Sequence, residues 1–416
     1  MIPKNKKLKL IGLFFLITGF SYLFFDRFLP ADATSSLSPV STSPNNADDT
    51  RQQTGFINFT GPKDQVCPIN GTLHTQAEKD IWQSRRPLLV MIENHEESRP
   101  QSGLSNADII YEAVAEGGIT RLMAVFYCAA LRGAPQKYDI GPVRSARTYF
   151  LDLASEYADY PLYAHVGGAN CSAPKDEAGH SLACTTDIRA QALEQISQYG
   201  WTDKGSWADL NQFSLSYRIC RREPDRTGQA RPTEHTMYCS TEQLWQLAAD
   251  RGLTNITEAS KKSWDKNFSS WSFDQEDQPN PTPSTPNISF DFWSGYKQYA
   301  VSWQYDQANN TYIRYNNDEK QIDFNSGQPL AAKNILVQFV KETRSVDEHK
   351  HNLYQVIGRG NGFLFQNGDK VAITWTKASR TARTVFKDKS GQPIDFVPGQ
   401  IWIEILPTAT PIDYES

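Results

Sequence analysis

Six side chains between positions 112 and 165 carry most of the chemistry this sequence offers: Glu112, Glu116, Arg121, Arg144, Arg147 and His165. They stand beside glycines at the ends of apolar runs, where a fold brings polar groups and close-approaching backbone together. Guanidinium groups present planar forks of donors that match carboxylate or phosphate oxygens. Glutamates and an imidazole orient hydroxyl or amide groups, or exchange protons as general acid and base. Two chemistries therefore fit. In the first, the arginines bind an acidic or polyhydroxylated ligand that Glu112, Glu116 and His165 orient. In the second, a glutamate assisted by His165 hydrolyses such a polymer. Against hydrolysis, the sequence has no nucleophile elbow. On a strand, Glu112 and Glu116 would also stand about 13 Å apart, whereas paired glycosidase carboxyls need roughly 5–9.5 Å. A purely internal network fits as well, with Glu112, Glu116 or Asp152 holding Arg144 and Arg147 and His165 packed at a strand end.

The elements that must position these groups follow from local pattern. Segments 109–116 and 119–127 read as strands joined by Gly117-Gly118, a two-residue hairpin turn. A helix capped near Ser105 and running to Glu116 is the alternative; the strand-like second segment favours the hairpin. In the expected register Glu116 faces Ile119 and Val114 faces Arg121, so Arg121 lies diagonal to both glutamates on one face. Gly141-Pro-Val-Arg-Ser-Ala-Arg147 leads into a helix expected from near Ser145 to 158, whose N-terminus would add backbone donors and a positive dipole end. A buried strand over 86–92 ends in Glu93-Asn94-His95, and a short strand ends in His165-Val-Gly-Gly168. Further helices are expected over 187–199 and after Ser240, where Ser-x-x-Gln makes a capping pattern.

A length of 416 residues exceeds one ordinary domain and predicts two folded units. The net charge of −5 and the absence of a Lys/Arg tract beyond the first nine residues exclude general affinity for nucleic acid. Lys4, Lys6, Lys7 and Lys9 precede an apolar run over 10–25, an export signal. An uncleaved anchor over 1–29 with the body outside the membrane is favoured, and cleavage near Ala31-Asp32-Ala33 is the alternative. Residues 30–60 have the composition of a disordered tether. Cys67, Cys128, Cys171, Cys184, Cys220 and Cys239 all lie in the first folded unit, and an even set in an exported chain reads as disulfides. Short loops favour Cys171 with Cys184 and Cys220 with Cys239, leaving Cys67 with Cys128. No Cys-x-x-Cys pair occurs, so neither a metal nor a cofactor is expected.

An α+β fold results: a mixed α/β N-terminal domain with hairpins and helices over 61–252, a linker over 253–296 carrying Pro279, Pro281, Pro283 and Pro286, and a mostly antiparallel β domain over 297–410. Asn367-Gly368 marks a hairpin turn. Gly358-Arg-Gly-Asn-Gly362 has dinucleotide-loop glycines without a βαβ setting and reads as a bulge or turn.

Taken together, Met91-Ile-Glu-Asn94, Arg99-Pro-Gln-Ser-Gly103, Ala107-Asp-Ile-Ile-Tyr-Glu112, Glu116-Gly-Gly-Ile-Thr-Arg121, Gly141-Pro-Val-Arg-Ser-Ala-Arg147 and His165-Val-Gly-Gly168 carry a resemblance. Ala332-Lys-Asn334, Gly358-Arg-Gly360, Thr374-Trp375, Pro398-Gly-Gln400 and Trp402 extend it. The chain resembles the YerB-like lipoproteins, a bacterial family of two domains of unknown function. The resemblance implies the two-domain architecture and a cell-envelope location, and supplies no activity. Two departures stand out. No cysteine precedes Cys67 to form a lipobox, and a Pro-His-Asn-x-Tyr pattern of the family is Glu234-His-Thr-Met-Tyr238 here, keeping the imidazole and losing the amide. The expected partners are an envelope polymer or, for a scaffold using the β domain's aromatic surface, another envelope protein.

Overall fold

An apolar run without alternation needs cover on both faces, and β1 (Leu88–Glu93) is such a run, buried along its whole length. In the computed structural model, residues 59–414 are described apart from 134–137, 172–174, 181–182 and 276–278. The expected anchor and nearly all of the tether lie outside the described residues. Among the described residues, no helix is long and apolar enough to cross a membrane.

Next to β1 stands the expected hairpin, β2 (Ile109–Glu116) and β3 (Ile119–Phe126). Gly117 and Gly118 both take positive φ, +56° and +81°, which a primed two-residue turn demands. The register differs from expectation. A one-residue bulge at Ala115 pairs Val114 with Thr120 and Ala113 with Arg121, while Glu116 still faces Ile119. Side chains alternate with period two, so one inserted residue sends Glu112 and Glu116 to opposite faces. Only Glu116 shares a face with Arg121.

Strands β4 (Leu162–His165) and β5 (Asp209–Asn211) extend this side of the sheet. From the second half come β6 (Asn287–Phe290), β7 (Val301–Asp306) and β8 (Thr311–Asn316), which belong to a separate six-stranded sheet. Then follow β9 (Asn334–Val340), β10 (Gly358–Gln366), β11 (Asp369–Lys377), β12 (Val385–Lys387) and β13 (Ile401–Pro407). The large sheet has ten strands in the order β12-β11-β10-β9-β13-β2-β3-β1-β4-β5. Strand β13 runs parallel to both β9 and β2, so the last long strand joins the two sequence halves into one sheet. The described residues of 59–414 accordingly belong to one compact unit.

Among the described residues the α-helices are α1 (Gln76–Gln83), α2 (Thr148–Ala154), α3 (Ala192–Gln198) and α4 (Thr241–Asp250). The chain is α+β, as its residue pattern predicts. Ser240 caps α4 as expected, accepting from the Gln243 N–H. Helix α2 begins three residues after the expected Ser145, is only seven residues long, and has a buried first turn. The anion seat expected at its N-terminus is not formed.

Two further expectations are corrected. Gly358–Gln366 is a continuous strand rather than a bulge or turn; a side chain at Gly362 would strike the Val337 carbonyl, 2.1 Å from an added Cβ. Residues 253–296 carry short strands and bury Trp264, Phe290 and Phe292 in the core. The Asn367-Gly368 turn is present, with Gln366 opposite Asp369. The bridges are Cys67–Cys128, Cys171–Cys184 and Cys220–Cys239, and none of the cysteines is free. Cys220 and Cys239 sit directly opposite one another on paired strands, which accounts for that match.

Candidate functional site

The charged cluster is assembled at one end of β1, β2 and β3. Glu93 ends β1, Glu116 ends β2, and Arg121 points from β3 to the same face, opposite Glu93 in the register. The 141–147 loop is laid along β1 by hydrogen bonds from the Glu93 N–H to the Pro142 carbonyl (2.8 Å) and from the Arg144 N–H to the Met91 carbonyl (2.9 Å). This places Arg144 over Glu93 and Arg147 over Glu116.

The result is a ladder of alternating charge. Arg147 grips Glu116 with a fork, Nε to Oε2 at 3.0 Å and Nη2 to Oε1 at 2.8 Å. Arg121 stands between the acids, its Nη2 3.5 Å from Glu116 and 3.6 Å from Glu93. Arg144 ion-pairs with Glu93 through Nε. Burial raises the cost of charge on both acids, yet the arginines outweigh it. Arg121, His235 and Arg144 hold the Glu93 carboxyl well below the usual carboxylate range, and Arg147 and Arg121 bring Glu116 down to about 2. Three guanidinium groups meet two carboxylates. Arg144 is the outermost; its side chain is 28% exposed, and Nη1 and Nη2 have no hydrogen-bond partner among the described residues.

Of the six expected residues, the fold gathers Glu116, Arg121, Arg144 and Arg147 and sends the other two elsewhere. Glu112, turned to the far face by the bulge, is fully buried between the sheets. It accepts from Arg314 Nη2 at 2.7 Å and Trp402 Nε1 at 3.2 Å; Arg314 Nη1 reaches Glu404 on the neighbouring strand at 2.9 Å. Trp303 Nε1 also donates to Glu404, at 3.0 Å. His165 is wholly buried as well. Its Nε2 lies 2.6 Å from Asp209 and its Nδ1 2.6 Å from the Gly167 carbonyl, so neither nitrogen is free to meet a ligand. The strand end before Gly167-Gly168 is a packing position; β5, which carries Asp209, supplies the partner.

Residues outside the six expected ones complete the cluster. Glu93 is its central acid. Beyond it, His235 Nδ1 lies 3.7 Å from Glu93 Oε2, and His235 Nε2 lies 3.5 Å from Glu97 Oε2. The His95 ring stacks on His235 with centroids 4.7 Å apart and planes 11° from parallel. One nitrogen or oxygen from each of His95, Glu97 and His235 falls within 4.8 Å of the others. The available signal was the emergence of Glu93-Asn94-His95 from a strand end; His235, far along the chain, gave none by spacing. Cys67, Cys128 and Asp108 are equally close together, but the two sulfurs are bonded to one another.

A mixed sheet built from both halves, with a charged edge supplied by the first, defines a two-part chain, and comparison with known proteins supplies the class. Residues 73–254 match the model described as "Protein of unknown function (DUF3048) N-terminal domain", and residues 288–403 match the corresponding C-terminal domain. The chain belongs to this two-domain family. Among its relatives is "Putative lipoprotein YerB" of Bacillus subtilis, 27% identical over 323 residues, or 78% of this chain and 82% of that one. The crystal structure of the Bacillus subtilis YerB protein matches with a TM-score of 0.62 at 25% identity, covering 84% of this chain and 100% of that one.

Proposed function

We propose that this is an envelope-anchored, extracytoplasmic binding protein that engages an acidic or polyhydroxylated cell-envelope component along the Arg144 edge of the cluster. The observation that carries this reading is the partly exposed Arg144 side chain at the outer end of the ladder, whose terminal nitrogens make no hydrogen bond to a described residue. Such a fork donates two parallel bonds to a carboxylate or phosphate. The lipoprotein name of the Bacillus subtilis relative and the basic-then-apolar start of this chain support the envelope location. Hydrolysis by a glutamate assisted by His165 has less support: both nitrogens of His165 are engaged, and Glu112 is wholly buried.

Calorimetric titration with soluble anionic wall fragments tests the proposal. Arg144→Gln leaves Glu93 paired with Arg121 and removes the outward fork. The expected loss is about tenfold in affinity, or about 1.4 kcal/mol, and binding of the unaltered protein weakens as salt is raised. Equal affinity of the two proteins for the fragments, or no heat with either, overturns it.

A further inference from the structure

We propose that His95, Glu97 and His235 form a binding site for a divalent transition-metal ion of the zinc class. Two imidazoles and a carboxylate are the nitrogen and oxygen donors such ions take, with bonds of about 2.0–2.2 Å and a fourth position open to water or ligand in three-residue sites. Donor atoms on one tetrahedral ion therefore stand roughly 3.4 Å apart. Glu97 Oε2 already lies 3.5 Å from His235 Nε2 and 3.8 Å from His95 Nδ1.

The support behind these donors is independent of their spacing. His235 is nine-tenths buried or more, and its Nδ1 has no hydrogen-bond partner although it lies 3.7 Å from Glu93 Oε2. A metal ion on Nε2 fixes the proton on Nδ1, facing that carboxylate, which is the arrangement by which metal-binding imidazoles are oriented. Glu93 also accepts from the His95 backbone N–H at 3.3 Å. One buried acid thus steadies both histidines.

Capture requires one movement. Nitrogen lone pairs lie in the ring plane, and two rings within 11° of parallel cannot aim at a common point. His95 is the ring that turns: its side chain is a quarter exposed, and Nδ1 accepts only a 3.2 Å bond from the Glu97 N–H. Turning exchanges that bond for a coordinate bond and unstacks the pair. A second imidazole group, His349 and His351, lacks this readiness. Its carboxylate, Asp347, already accepts from the backbone N–H groups of Asp187, His349 and His351 and pairs with His351 Nδ1 at 2.8 Å.

The inference stands apart from the anion reading and is tested without wall fragments. The full chain, untagged and stripped with a chelator, is titrated with Co2+ and then Zn2+. One equivalent of Co2+ with the visible absorption of a low-symmetry four-coordinate ion is expected, displaced by Zn2+, and Zn2+ raises the unfolding midpoint by mass action. Since loss of an orienting partner alone costs about 10–100-fold in metal affinity, His95→Ala and Glu97→Gln each weaken binding at least tenfold, while His349→Ala leaves it unchanged. Both ligand variants alter partly exposed side chains, so either serves should the other fold poorly. Absence of the Co2+ spectrum, binding that survives both ligand changes, or binding that disappears with His349→Ala overturns the assignment.

Discussion

Replacing Glu404 by Gln tests how the two halves of the chain are joined. Glu404 on β13 lies beside Glu112 on β2 in register, and the single guanidinium of Arg314 reaches both. Burial first, and then the neighbouring Glu112 charge, push the Glu404 carboxyl from its ordinary 4.5 up to about 8. Arg314 Nη1 and Trp303 Nε1 both donate to Oε1, whereas Oε2 is buried without a partner, which leaves Oε2 as the oxygen open to a proton. The sign follows from linkage. The folded chain keeps this proton up to about pH 8, while the unfolded chain releases it near 4.5. The stabilisation is complete below the lower value and is lost as pH rises through the higher one. At about 1.4 kcal/mol per pKa unit the ceiling is on the order of 5 kcal/mol. Relaxation and water entry around a buried charge reduce this, and about 2 kcal/mol is the expected difference between ~pH 5 and ~pH 9. Glutamine keeps the acceptor oxygen and places an amide where the hydroxyl was. The variant should match the unaltered protein in urea unfolding at the acid end and lack its excess loss of stability at the alkaline end. Parallel pH profiles for the two proteins would refute the account, because the proton would then not be held between the sheets.

Two further outcomes are expected. Arg147→Lys exchanges a two-bond fork on Glu116 for a point charge; because the Glu116 side chain is 29% exposed, the loss is screened and comes to about 1 kcal/mol in urea unfolding, and an unchanged midpoint would show that the fork contributes nothing. With all six cysteines bridged, thiol titration of the denatured, unreduced chain finds none free, and Cys220→Ala with Cys239→Ala lowers stability by about 3 kcal/mol; two or more reactive thiols in the unaltered protein would reject the pairing.

The contrast between what the sequence discloses and what it hides follows the range of the forces involved. The β2–β3 hairpin was legible because a Gly-Gly turn imposes its own geometry on four residues. The Ala115 bulge was not, since nothing in Val-Ala-Glu distinguishes a bulged from a regular strand, and that single residue decided which face received Glu112. Strand β13 announces itself as an apolar run, but its place between β9 and β2 is fixed by partners dozens to hundreds of residues away. Composition misled over 253–296, where the prolines dominate any average and conceal three buried aromatic anchors.

The same reasoning explains why the site was half visible. Glu116, Arg121, Arg144 and Arg147 lie on one hairpin and on a loop bound along its neighbour, so their convergence follows from local chain geometry. His165 had the polar strand end that marks many sites, and Asp209 on the adjoining strand consumed its free nitrogen. His235 was marked only by the family pattern at Glu234-His-Thr-Met-Tyr238, and it is brought to His95 because its loop docks against the end of β1. A buried acid with cationic groups on several sides, Glu93, is the feature that ties these together. It anchors Arg144, faces His235 and holds the His95 backbone, so loss of Glu93 would disturb the arginine edge and the histidine pair at once. The two proposed functions of this edge are therefore separable only through the outward residues, Arg144 on one side and His95 or Glu97 on the other.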